Sequence, residues 1–350
     1  MTLMRSRGIQ VFLTLLFSAA ALYLALQGIN FREVAAALAQ VDWIWVGVTL
    51  ILILVTLVMR AERWRILLGR ELSLWDAFGL IGIGYLISGV LPLRVGDPAR
   101  AVGASLRGRV HALAALSTVL VERVLDMLMV VLVLATTLPF VPRLQTYLAA
   151  EQVSGRISFE LILILVGLLT LGMLLCFIAI ATSPAVIEQL AMRLMTALRI
   201  SNTDRWLKPL SDTLVGFSAL RSPKDGLVIG FWSVGLWTAT ALYFATLMWA
   251  SRAFLTEVSL LRSLVAMWAS AFGMAFPATG GIGSFHFAVR EALFWGFGVT
   301  RELGFAYAVI VHALPYLTGI LLGAVVLFLW GMSLKTLIRR GQTMEQRGKP

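Results

Sequence analysis

What most constrains this chain is the way its apolar residues are gathered. Six segments, 9–28, 43–59, 112–139, 159–182, 226–250 and 303–331, are apolar and long enough to cross a bilayer. A helix needs about 20 residues to cross about 30 Å of hydrocarbon. Two further apolar stretches are interrupted. Residues 75–110 contain Pro92, Arg94, Asp97 and Arg100, and residues 259–298 contain Pro277, Gly280, Gly281 and Gly283. Irregular backbone at membrane depth is tolerated only where protein buries it or it lines a polar cavity. Each interrupted stretch has room for two half-helices and a joining loop, so each is expected to form a re-entrant hairpin. The expected fold is an all-α integral membrane protein, a single polytopic domain over 1–350. It has six full transmembrane helices plus two re-entrant hairpins.

Composition removes the competing classes. The chain is 59% hydrophobic and 13% charged, against about 45–50% and about 25% in soluble domains. It has too little charge to cover a water-facing surface, which excludes a soluble enzyme, a disordered chain and a nucleic-acid-binding domain. The net charge of +11 instead suits basic cytoplasmic loops. The one cysteine, Cys176, lies in an apolar run and is expected to be a small buried residue. Arg5 and Arg7 precede the first apolar run, which lacks a clear small-residue cleavage site, so it is expected to stay as a helix.

The basic residues also orient the chain. With the N-terminus inside, 19 Lys and Arg fall in inside segments and 6 in outside ones. The other four, Arg94, Arg100, Arg123 and Arg290, fall within membrane segments. This bias places both termini in the cytoplasm. The order span, hairpin, span then occurs twice, over about 43–139 and 226–331, the second time upside down. Leu91-Pro92 followed by Gly96 and Phe276-Pro277 followed by Gly281 share one spacing. Inverted repeats with broken helices meeting near the midplane are a transporter architecture. The connector 183–225, with Leu190, Leu194, Leu198 and Leu207 among basic residues, reads as cytoplasmic amphipathic helix.

Ionisable residues inside spans are functional candidates, because each costs at least about 2.5–3.5 kcal/mol at the bilayer centre. Span 112–139 carries Glu122, Arg123 and Asp126 near its middle. Glu122 and Asp126 share a helix face, and Arg123 has the spacing to pair with Asp126. Arg94 and Arg100 put two planar forks at the tip of the first hairpin, a shape that suits phosphate oxygens. Asp97 is placed to hold one of them between substrates. In the second hairpin, Gly280, Gly281 and Gly283 would let backbone N–H groups approach an anion, beside a half-helix starting near Ser284. The alternative is a close-packed turn in which glycine is only steric, and the two roles are compatible. Arg290 and Glu291 follow. His312 lies at the same depth in its span as Glu122 does, which makes it a candidate ligand or proton relay.

Three motifs together resemble the flippase-like membrane proteins related to the transmembrane flippase region of lysylphosphatidylglycerol synthases, the multiple peptide resistance factors. Pro92 to Arg100 resembles that family's P-x-R-x-G-[ED]-x-x-R. Glu122, Arg123 and Asp126 resemble its E-R-x-x-D helix. Pro277 to Gly283 resembles its P-x-[PT]-G-G-x-G loop, followed here by Arg290-Glu291. Arg60-Ala61-Glu62-Arg63-Trp64 resembles a basic-aromatic patch after its second helix. Two departures are Asp97, where Glu is commoner, and Ala278, where Pro is often found. The resemblance runs over about 40–330. It implies movement of a polar-headed lipid between leaflets of the bacterial inner membrane. The lipid would be an anionic or aminoacylated phospholipid, a hopanoid-pathway lipid or a lipid-linked sugar. The soluble aminoacyl-transferase domain does not occur in this sequence, so synthesis is not expected.

No G-x-x-x-x-G-K-[ST] loop occurs, so ATP is not expected to drive movement directly, and no cofactor or metal is expected. Transfer would run downhill or couple to protons through Asp97, Glu122, Asp126, Glu291 or His312. Two other readings stand beside this one. Ser284 with His286 or His312 would make an intramembrane hydrolase. A chain that tolerates loss of its buried charges would be a scaffold for a lipid-modifying enzyme.

Overall fold

The computed structural model describes residues 2–91, 95–108, 110–143, 146, 159–198, 203, 207 and 222–331. Among them the regular elements are helical, as expected. They are α1 Thr2–Leu26, α2 Phe31–Leu38, α3 Trp43–Leu67, α4 Leu74–Val90, α5 Gly96–Arg107 and α6 Ala112–Thr137, then α7 Phe159–Thr182, α8 Pro184–Ala197, α9 Pro223–Ala250, α10 Leu260–Ala275, α11 Ser284–Phe297 and α12 Arg301–Leu329. Side-chain caps fix many of the starts. Asp42, Ser73, Ser222, Ser259 and Thr300 each accept a backbone N–H from the first turn of their helix.

Among the described residues α3, α9 and α12 are long and apolar enough to cross a membrane, and α1 with α2, bent by 84°, is a fourth if the bent pair counts as one span. α6 matches the expected span 112–139 but carries three charges along its middle. Trp43, Ile44, Leu227 and Phe328 are exposed on the outside of the bundle, a surface that suits lipid rather than water.

Two expectations are corrected. The second span does not stop at residue 59. α3 runs on to Leu67 because Ala61, Trp64, Ile66 and Leu67 continue its buried face. This takes Arg60, Arg63 and Arg65 onto the helix instead of into a loop. Cys176 is exposed on α7 rather than buried. In the connector, α8 exposes Leu190, Leu194 and Leu198. Most of 199–221 lies outside the described residues.

The two interrupted stretches each form a pair of short helices, α4 with α5 and α10 with α11. The first pair folds back so closely that a Cβ on Gly96 would lie 2.0 Å from the Gly84 carbonyl oxygen. Helix α12 shows where both pairs end. Gly79 faces Val326 and Trp330, Gly82 faces Leu322, and the Gly89 carbonyl accepts from Tyr316 Oη at 2.8 Å, so α4 runs antiparallel along the C-terminal half of α12. Arg290 faces Gly304, and the turn at Gly280 reaches His312 and Tyr316, so α11 covers the N-terminal half. The two breaks therefore meet at His312–Tyr316. That point lies about 22 Å from one end of α12 and about 20 Å from the other, at 1.5 Å per residue. Small residues in this seam let the helix backbones approach closely. Helix α9 lies antiparallel to α3, with Thr49 and Thr246 hydroxyls 2.8 Å apart at one end and Arg63 Nη1 donating to Ser233 Oγ nearer the other.

Candidate functional site

The largest concentration of buried charge lies where α3, α5 and α6 meet. Folding α5 back onto α4 points Arg100 at α6, where its Nη2 reaches Glu122 at 2.5 Å. The guanidinium sits 4.7 Å above the Trp64 ring, and Trp64 Nε1 donates to Thr118 Oγ1 at 3.0 Å. One turn along α6, Asp126 accepts from Arg60 at 3.0 Å, Arg63 at 2.8 Å and Trp237 Nε1 at 3.3 Å. Arg63 also lies 3.7 Å from Glu122. The side chains of Arg63 and Glu122 have no exposure at all.

Burial of this kind costs several kcal/mol per ion, and only close pairing repays it. Here the repayment is incomplete. Arg63 Nε, Arg100 Nε and Glu122 Oε1 are buried without a hydrogen bond. Among the described residues four arginines, Arg60, Arg63, Arg100 and Arg123, stand against three carboxylates, Asp97, Glu122 and Asp126. One positive charge is left over.

The outer edge is different. Asp97, in the first turn of α5, takes Arg123 Nη2 on both carboxylate oxygens at 3.0 Å and lies 3.3 Å from Arg100 Nε. These side chains are 30% and 52% exposed. Arg123 thus pairs across to α5 and not with Asp126 on its own helix, as the spacing suggested, because Arg60 and Arg63 already fill the Asp126 oxygens.

The structure brings together Asp97, Arg100, Glu122, Arg123 and Asp126, and adds Arg60 and Arg63. Arg94 and Pro92 lie outside the described residues. The two added arginines were visible in Arg60-Ala61-Glu62-Arg63-Trp64, but ending the span at residue 59 had assigned them to a loop. Arg290 and Glu291 do not join the cluster. Arg290 donates to the Ala25 and Gln27 carbonyls, capping α1 where the chain bends into α2. Glu291 binds Arg290, Arg301 at 2.9 Å and Trp295 Nε1 at 2.9 Å.

The glycine loop is packed, not open. Gly280, Gly281 and Gly283 have φ of 57°, 74° and 89°, a region that only glycine enters freely. A Cβ on Gly283 would lie 2.3 Å from the Leu22 nitrogen of α1. The N–H groups of Thr279, Gly281, Ile282 and Gly283 donate to Ser18 Oγ, the Ala278 and Thr279 carbonyls, and His286 Nδ1. This packing shows the steric role, one of the two expectations for this loop. His312 Nε2 lies 3.0 Å from the Gly280 carbonyl oxygen, and its ring stacks on Phe285 at 4.5 Å. Ser284 Oγ donates to the Gly281 carbonyl at 3.4 Å, not to a histidine. No group of three metal-ligating side chains occurs among the described residues.

Residues 11–323 match the model of the lysylphosphatidylglycerol synthase transmembrane region. The chain belongs to that family. The matched region takes in both broken helices and the whole charged cluster, and the family marks the chain as a multi-pass membrane domain tied to lipid handling. No curated protein and no solved structure matches it.

Proposed function

We propose that this lysylphosphatidylglycerol synthase family member is a flippase or scramblase. It moves a phosphate-bearing lipid between leaflets of the bacterial inner membrane, without ATP and with both termini cytoplasmic. The carrying observation is the charge surplus beside unmet donors: Arg63 Nε and Arg100 Nε are buried and unbonded in a cluster with one more guanidinium than carboxylate. Such a cluster has capacity for one anion. The headgroup would pass along the arginines while the tails stay in lipid. The meeting of α4 and α11 halfway along α12, and the antiparallel pairing of α3 with α9, support six full spans with two re-entrant hairpins in an inverted repeat. Glu122, whose Oε1 is unbonded at the buried centre, is the carboxylate best placed to exchange a proton.

The test is transfer of labelled phosphatidylglycerol in vesicles holding the full chain. Arg100→Gln paired with Glu122→Gln leaves the net charge of the site unchanged and removes the fork. Transfer should fall tenfold or more while the protein still folds. A folded double variant working at the wild-type rate would overturn the phosphate reading and favour the scaffold. Coupling to protons is read from Glu122→Gln alone, which should flatten the pH profile of transfer. An unchanged profile would leave downhill scrambling.

A further inference from the structure

Within the charged cluster, exposure divides the carboxylates into two kinds. Glu122 and Asp126 lie deep, with Glu122 fully buried and Asp126 saturated by three donors. Asp97 stands at the edge, on the side where Arg123 is half exposed. Its fit there is poor. It engages Arg123 through one nitrogen only, with both oxygens on Nη2. It lies 3.3 Å from Arg100 Nε, yet that donor stays buried without a hydrogen bond. A carboxylate whose short stem is fixed to the first turn of α5 cannot turn to serve both guanidinium groups. A tetrahedral phosphate, free of that stem, can present one oxygen to each.

From this we infer that Asp97 is the resting occupant of the anion site between Arg100 and Arg123, and that an incoming monoanionic phosphodiester headgroup displaces it. The exchange swaps one negative charge for another, so the buried pairs behind it keep their electrostatic balance. Arg100 gains the bond it lacks. When the headgroup leaves, Asp97 returns, and the two guanidinium groups are not left facing each other unscreened. Asp97 thereby sets the affinity of the site for its ligand. This inference rests on the phosphate reading of the cluster, but binding tests it separately from transport.

The measurement is binding to the purified full chain of short-chain phosphatidylglycerol and, in a second arm, inorganic phosphate. Asp97→Asn keeps the shape and removes the competing charge. It should bind phosphatidylglycerol roughly fivefold more tightly than wild type, the scale of one partly exposed ion pair. Asp97→Ser, too short to reach Arg123, should show the same gain and guards against a folding defect in the first variant. Arg123→Gln should weaken binding, and Asp97→Asn added to it should restore little. A gain with phosphatidylglycerol alone assigns the site to a lipid headgroup. An equal gain with inorganic phosphate assigns the displaced-anion site to free phosphate as well. Unchanged or weaker binding in both Asp97 variants would overturn the inference and make Asp97 a structural clamp. If the binding order holds but wild-type vesicles move no lipid, the transport proposal fails while the exchange stands.

Discussion

The two broken helices reach the same level of the bundle and meet there with opposite chemistry. The first, α4 with α5, brings Asp97 and Arg100 against the charged middle of α6 and leaves three buried polar atoms unbonded. The second, α10 with α11, brings Gly280 and Phe285 against His312 and Tyr316 of α12, with the N–H groups of Thr279, Gly281, Ile282 and Gly283 engaged inside the protein and the neutral Trp268 Nε1 and Thr279 Oγ1 buried without a bond. Both breaks keep unused bonding capacity, but only the first keeps it on charged groups. An unmet charged group in a buried site costs more than an unmet neutral one, so its retention beside α5 argues for an anionic ligand there, with the other break acting as the fixed wall against which it works.

The sharpest way to break this contrast is to remove a deep charge. Arg63→Met leaves Glu122 and Asp126 short of a partner and should destabilise the folded chain by about 3–5 kcal/mol, read as thermal unfolding in detergent. Arg63→Met with Glu122→Gln should recover part of the loss. Wild-type unfolding in the single variant would show that the cluster is not electrostatically coupled. Next in size is the wall itself. Gly283→Ala places a Cβ against the α1 backbone at a positive φ and should cost about 1–3 kcal/mol, while the headgroup affinity of the fraction that folds stays at the wild-type value. A changed affinity would mean that the glycine loop also touches the ligand. Smaller still, His312→Phe keeps the ring stack and loses the bond to Gly280. It should cost about 1 kcal/mol and leave the pH profile of transfer unaltered, unlike Glu122→Gln. A shifted profile would return His312 to the proton path.

Much of this contrast could be read from sequence, and the part that could not has a physical reason. The break positions were legible because proline and clustered glycine have few uses inside a span. Glu122, Arg123 and Asp126 were legible because charge in a span is rare. The partners were not. Arg123 takes Asp97 from another helix because Arg60 and Arg63 compete for Asp126, and a helical spacing rule contains no term for that competition. Arg290 follows a broken turn in the sequence, as Arg100 does. Only the return of α1 over α11 gives it carbonyl oxygens to cap. The end of α3 was misplaced for a related reason. Arg60 and Arg63 resemble the end of a span until their carboxylates are found inside the bundle.

The smallest expected effect carries no energy at all and concerns orientation. In a chain with Cys176→Ala, a cysteine at Thr146 should react with an impermeant reagent from outside, and one at Thr203 only from inside. The reverse pattern would turn the charged break to face the other compartment without altering its chemistry.

The meeting of the breaks halfway along α12 also has an electrical consequence. In a bilayer, polar groups alongside α4 and α5 would carry the potential of their own compartment inward to Tyr316, while the packed turn at Gly280 holds off the other compartment. The voltage drop would then fall across the half beside α11 instead of across the whole hydrocarbon. A singly charged headgroup crossing that half would do nearly all of its electrical work there, about 2.3 kcal/mol per 100 mV.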